Sequence, residues 1–152
     1  MLTCQVESLT ERLEEFKHLV PLHWEELALN KDKVPLDPQY EVYAAREARG
    51  ELLFVTMREA GKPVGYFVGF IAPGLHYKGC LTCTMDIFYI AQELRNQGLP
   101  GVRLFRFVEN ELKRRGVQRW FVGSKVHADA SALFEFLKFE CVEVYYSKWI
   151  GD

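Results

Sequence analysis

The residues with the clearest chemical meaning are Arg95-Asn96-Gln97-Gly98-Leu99-Pro100-Gly101. They follow a strand-like run ending near Ile90 and open a helix whose apolar face carries Leu104, Phe105, Val108 and Leu112. The first turn of a helix leaves backbone N–H groups unpaired and carries positive partial charge, so this turn suits a phosphate. Gly98 lets the backbone approach an anion without a Cβ in the way, and Pro100 suits the first helical position, where its missing N–H matters least. Asp86 lies among apolar Met85, Ile87 and Phe88; desolvation there would raise its pKa toward proton-accepting range. His23, Glu25 and Glu26 sit together on a short helical stretch, where His23 titrates near neutrality, and His76 and Tyr77 occupy a loop before the long strand.

Charge limits the partners. The net charge is −2, which provides no global basic field for nucleic acid. Basic residues cluster locally from Arg95 through Arg103, Arg106 and Lys113–Arg115 to Arg119, a bias that suits a small anionic ligand better than a long polyanion. Cys80-Leu81-Thr82-Cys83 is a lone C-x-x-C in a strand-like stretch, where residues three apart face opposite ways and would not converge on a metal. No apolar run approaches the ~20 residues of a membrane span, and the N-terminus lacks a secretory pattern, so a cytoplasmic protein is expected.

The elements that must position these groups fit one domain, residues 1–152. A strand is expected over residues 2–7. A capping box at Ser8-Leu9-Thr10-Glu11 starts a helix to about Leu19, Pro21 interrupts, and Leu22 to Leu29 forms a second helix. Gln39 to Arg49, closed by Gly50, is a third. Leu52 to Arg58 and Val64 to Ala72 read as a hairpin, and Leu81 to Ile90 as a long strand. A helix from about Pro100 to Arg115 ends at Gly116. Then come a strand at Gln118 to Ser124, a helix at Asp129 to Leu137, and a final strand at Cys141 to Ile150. This order is an α+β, or mixed α/β, arrangement rather than a doubly wound one.

With these residues and their order in view, the sequence resembles the GNAT superfamily of N-acetyltransferases, well over residues 50–150 and loosely before. The family's signature for acetyl-coenzyme A, Q/R-x-x-G-x-G/A, is matched by Arg95-Asn96-Gln97-Gly98-Leu99-Pro100 except at Pro100, with Gly101 following. A later motif, A-x-x-L-Y-x-x-x-G-F, is followed in outline by Ala130 to Phe139, with Phe134 in place of tyrosine and Lys138 in place of glycine. The overall arrangement, with Tyr145 to Ile150 at its end, also looks similar to small GNAT proteins encoded by tailed bacteriophages.

The resemblance implies a central, mostly antiparallel sheet splayed between its fourth and fifth strands and flanked by helices. It implies acetyl-CoA as cofactor, held by the turn at Arg95 to Gly101 and by backbone groups of Phe88, Tyr89 and Ile90, with Trp120 to Ser124 opposite. His127 falls where the family often has an asparagine on the cofactor arm, and Phe134 where a tyrosine often serves as proton donor. The implied reaction is direct attack of a primary amine on the thioester, with Asp86 as the first candidate base and His23 and Glu25 on the acceptor wall. The acceptor would be a small molecule or a protein amine, and a homodimer is left open. Phe134 and Pro100 also keep open a non-catalytic protein that retains the fold for binding or inhibition.

Overall fold

The computed structural model describes residues 1–152. Five strands form one sheet in the order β1-β2-β3-β4-β5: β1 (Leu2–Val6), β2 (Leu52–Glu59), β3 (Lys62–Pro73), β4 (Leu81–Ile90) and β5 (Arg119–Phe121). The pairs from β1 to β4 are antiparallel, and β4–β5 is parallel. Both faces are covered. Helices α1 (Leu9–Phe16), α2 (Leu19–Leu27) and α3 (Tyr40–Ala48) lie on one face; α4 (Pro100–Arg114) and α5 (Ser131–Phe136) lie on the other.

Burial on both sides explains why β2 reads as a continuous apolar run rather than an alternation. Its Leu53, Val55 and Met57 join Phe67, Leu104, Phe105 and Val108 in the larger core under α4. Leu52 and Phe54 join Phe16, Leu19, Tyr66 and Tyr89 in a second core under α1–α3. Each fully buried side chain of this kind stabilises the fold by about 1.5–3 kcal/mol relative to exposure. Cys83 belongs to the larger core, so its side chain is committed to packing.

The capping box is half realised. Ser8 Oγ accepts from the Glu11 amide at 3.2 Å, but the reciprocal carboxylate comes from α3. Glu47 accepts from the amides of Leu9 (2.7 Å) and Thr10 (3.1 Å) and from Ser8 Oγ (2.8 Å). Pro21 does not interrupt the second helix; it lies in the first turn of α2, where a missing N–H costs nothing.

Two features of the sheet shape the site. Asp86 is an extra residue in β4, because Val68 pairs with Ile87 and Gly69 with Met85. A bulge of this kind turns two successive side chains to one face. Here Asp86 reaches Tyr43 of α3, and Ile87 packs in the same core. In addition, β5 pairs with β4 only at Thr82, Cys83 and Thr84. Beyond Thr84 the two strands separate, which is the expected splay.

The expected final strand is absent. Residues 141–150 have no strand structure, are exposed throughout and make no backbone hydrogen bond. A strand needs a neighbour, and β5 is only 3 residues long, shorter than the seven-residue span from Gln118 to Ser124 that the sequence suggested. No helix is long and apolar enough to cross a membrane.

Candidate active site

The second half of β4 has a partner on one side only. The Ala91 amide donates to Val64 O at 2.8 Å, which fixes the alternation of the antiparallel ladder. Residues 91, 89 and 87 turn toward β3, and Phe88 and Ile90 turn their N–H and C=O groups toward the gap left by β5. Such an exposed edge can pair with an extended amide-bearing chain as an added strand would.

This edge leads directly into the turn at Arg95 to Gly101. A 3-10 turn (Gln92–Leu94) precedes it, and α4 begins at Pro100. Gly98 and Leu99 are left-handed in succession, at φ +71° and +53°. Glycine suits position 98 for that conformation; a Cβ there would meet nothing within 4 Å, so close approach is not the reason. Leucine does not suit position 99, where the left-handed region costs roughly 1–2 kcal/mol. Strain held in place at a helix entrance is characteristic of binding turns. The amides of Gly98, Leu99, Gly101 and Val102 have no protein acceptor. Those of Leu99, Gly101 and Val102, which line the cavity described below, form a donor set that fits a diphosphate even with Pro100 contributing none.

Arg95 anchors the turn. Its Nε donates to Ile90 O at 2.8 Å, and its Nη2 to Glu26 Oε2 at 2.7 Å, with Nη1 on the other Glu26 oxygen. The guanidinium also lies 5.5 Å from the Tyr89 ring centre. Arg95 lowers the Glu26 pKa, chiefly through these hydrogen bonds. Its side chain is therefore committed to α2 and to the end of β4.

On the α1–α3 face, His23 is buried. Its Nδ1 is 2.8 Å from Tyr66 Oη, and its ring stacks on Tyr89 at 5.3 Å. Burial lowers the His23 pKa to about 4; Glu26 opposes this, while Arg95 and Lys125 reinforce it. The imidazole is thus neutral and a reluctant proton acceptor. Asp86 moves the other way. Burial raises its pKa, partly offset by the Tyr43 hydroxyl, which donates to Oδ2 at 2.5 Å, and by nearby Arg46.

A cavity of about 1440 Å³ joins these parts. That exceeds the usual 300–1,000 Å³ of a drug-sized site and leaves room for two ligands. Of the residues singled out from the sequence, Asp86, His23, Phe88, Tyr89, Ile90, Arg95, Leu99, Pro100, Gly101 and His127 line it. Asn96, Gln97 and Gly98 lie on the exposed outer side of the turn and do not line it.

Glu25 and Phe134 are placed elsewhere. Glu25 is exposed, 3.8 Å from Lys31, because successive helical residues diverge; its neighbour Glu26 turns inward instead. Phe134 is buried against Phe88, Phe105 and Phe139, so its position is one of packing. His76 and Tyr77 do not line the cavity. Tyr43, Tyr66 and the Glu26–Arg95 contact went unanticipated, since nothing in local spacing signals partners 43 and 69 residues apart.

A mixed α/β domain with this splayed sheet and donor-lined helix entrance defines an acetyltransferase-type protein. The chain belongs to the acetyltransferase (GNAT) family, whose profile matches residues 16–139. A search of curated protein sequences returned no match. Solved structures with the same fold include a ribosomal-protein-alanine N-acetyltransferase from Brucella melitensis biovar Abortus 2308. It has a TM-score of 0.77 and 16% identity, over 100% of this chain and 99% of that one. An aminoglycoside acetyltransferase from an uncultured soil metagenomic sample has a TM-score of 0.75 and 17% identity, over 99% of each chain. Glucosamine-6-phosphate N-acetyltransferase from Arabidopsis thaliana has a TM-score of 0.72 and 11% identity, over 99% of each chain.

Proposed function

We propose that the protein transfers an acetyl group from acetyl-CoA to a primary amine. The observation that carries this reading is the continuity of the β4 edge, strandless beyond Thr84, with the free amides at the start of α4. One runs into the other through Arg95, which grips Ile90 O. Bound acetyl-CoA would supply an acyl group activated as a thioester. The amides of Leu99, Gly101 and Val102 would hold the diphosphate, and the edge at Phe88 and Ile90 the pantetheine arm.

The residues then divide the chemistry. Outward amides of Phe88 and Ile90 are fixed donors for charge developing on the carbonyl oxygen. An alkylammonium with pKa about 10.4 must lose a proton before attack. Asp86, desolvated and with its carboxyl range raised, accepts that proton directly or through water. Tyr43 orients the carboxylate. Neutral His23 supports Tyr66 and Tyr89 and takes no proton itself.

The test pairs calorimetric CoA binding with turnover on a broad amine panel. Asp86→Asn is expected to lower kcat by about 10²–10⁴-fold while leaving the CoA Kd unchanged. A second reading, a non-catalytic GNAT-fold binding protein, draws support from Phe134, which has no proton to donate and is buried among aromatics. CoA binding without turnover, unaltered by Asp86→Asn, would favour it.

A further inference from the structure

The cavity has two sides with different chemistry. Toward α4 and α5 it follows the β4–β5 gap assigned above to the cofactor. Toward α1–α3 it opens into a chamber whose walls are apolar and aromatic: Trp24 and Leu27 of α2, Val34 and Leu36 of the loop that follows, and Tyr145 and Tyr146 at the mouth. Val34 and Leu36 are 43% and 39% exposed, and Tyr145 and Tyr146 88% and 94%. The chamber therefore presents apolar surface that nothing in the chain covers.

Charge inside the chamber is sparse. The acids lining the cavity are Glu26, Asp37, Asp86 and Asp129. Glu26 is clasped by Arg95. Asp129 accepts from the Ser124 and Ser131 hydroxyls and the Ser131 amide, which commits it to the start of α5. Asp37 is exposed at the rim, as is Lys125. Only Asp86 faces the interior with an oxygen that carries no protein hydrogen bond. Inside the chamber a polycationic acceptor would bring several ammonium groups to one free acid and hold the rest against apolar walls, a costly arrangement.

We infer that the acceptor is a monoamine on an alkyl or aryl body, its nitrogen directed to Asp86 and its apolar body lying against Trp24, Leu27, Val34 and Leu36. This rests on the acetyl-transfer reading and adds the acceptor class to it.

The test compares kcat/KM for ethylamine, butylamine, hexylamine and phenethylamine with that for spermidine and kanamycin, at saturating acetyl-CoA. Burial of each methylene is expected to raise kcat/KM roughly fourfold, and phenethylamine to exceed spermidine by about 100-fold. Leu36→Asp, at an exposed position, is expected to flatten the methylene series and leave the CoA Kd unchanged. Calorimetric binding of the same amines to the CoA-loaded and free protein gives the ranking without relying on turnover. Equal or better use or binding of the polycations, or a flat methylene series in the unaltered protein, overturns the inference. Failure of the protein to bind CoA overturns the acetyl-transfer reading instead, and the ranking of amine binding to the free protein still decides the chamber's preference.

Discussion

His23 links the second core to acid stability in a way that can be measured. The residue is 8% exposed, and burial holds its pKa at about 4, against 6.5 for a free imidazole. A depressed histidine is neutral when folded and takes up a proton more readily when unfolded. Its contribution is therefore fully present above pH 6.5 and is lost as pH falls toward 4. One pKa unit corresponds to 1.36 kcal/mol, so the full loss is about 3.4 kcal/mol, of which about 2.5 kcal/mol falls between pH 7.5 and 4.5. The comparison is urea unfolding of the parent and His23→Leu at pH 7.5, 6.0 and 4.5, followed by tryptophan fluorescence. Leucine leaves the Tyr66 hydroxyl without its partner, a penalty of about 1–3 kcal/mol that is the same at every pH. Titration of groups that do not interact with His23 cancels in the difference; Glu26, which does, contributes only at the acid end of the range. The parent's stability relative to His23→Leu is expected to fall by about 2.5 kcal/mol over that range. A difference that stays constant with pH would refute the placement of His23 as a buried neutral imidazole.

Other positions give equally direct expectations. Gly65→Ala places a Cβ 2.7 Å from Tyr89 O, a backbone atom that cannot swing aside; a loss of about 2–3 kcal/mol in urea unfolding is expected. Gly98→Ala meets no neighbour but must hold φ near +71°, so it should lower stability by about 1 kcal/mol without altering the core's near-UV signal. Burial pushes the Glu47 pKa up, but hydrogen bonds from Thr10, Ser8 and Leu9 outweigh it and hold the carboxyl below its usual range. Glu47→Gln should therefore cost about 1 kcal/mol at pH 7. The stability Glu47 adds is present above the free carboxylate pKa, about 4.3, and should vanish as pH falls through its lower folded value.

How much could be read from the letters depended on whether a feature was local. The turn at Arg95–Gly101, the hairpin around Gly61 and the apolar face of α4 each follow from neighbours in sequence, and each is present. The place of Asp86 on the long strand among apolar neighbours was legible, but its bulge was not, because a period-two pattern does not show where an extra residue enters. The clasp on Arg95 and the Glu47 cap depend on side chains brought from distant helices. Residues 141–150 have the alternation of a strand, yet alternation reports fitness for pairing and not the presence of a partner. Glu25 and Glu26 are adjacent acids, and only the orientation of α2 against Arg95 separates the solvent-facing one from the inward one.

The Glu26–Arg95–Ile90 chain of contacts ties α2, the turn at the start of α4 and the end of β4 to one another. Any ligand that presses on α2 must either carry the turn with it or break a two-pronged ionic grip. If acetyl-CoA and an amine bind as proposed, whatever factor the amine adds to the affinity for CoA, CoA must return to the amine by reciprocal linkage. With Glu26 replaced by glutamine, that mutual factor is expected to approach one.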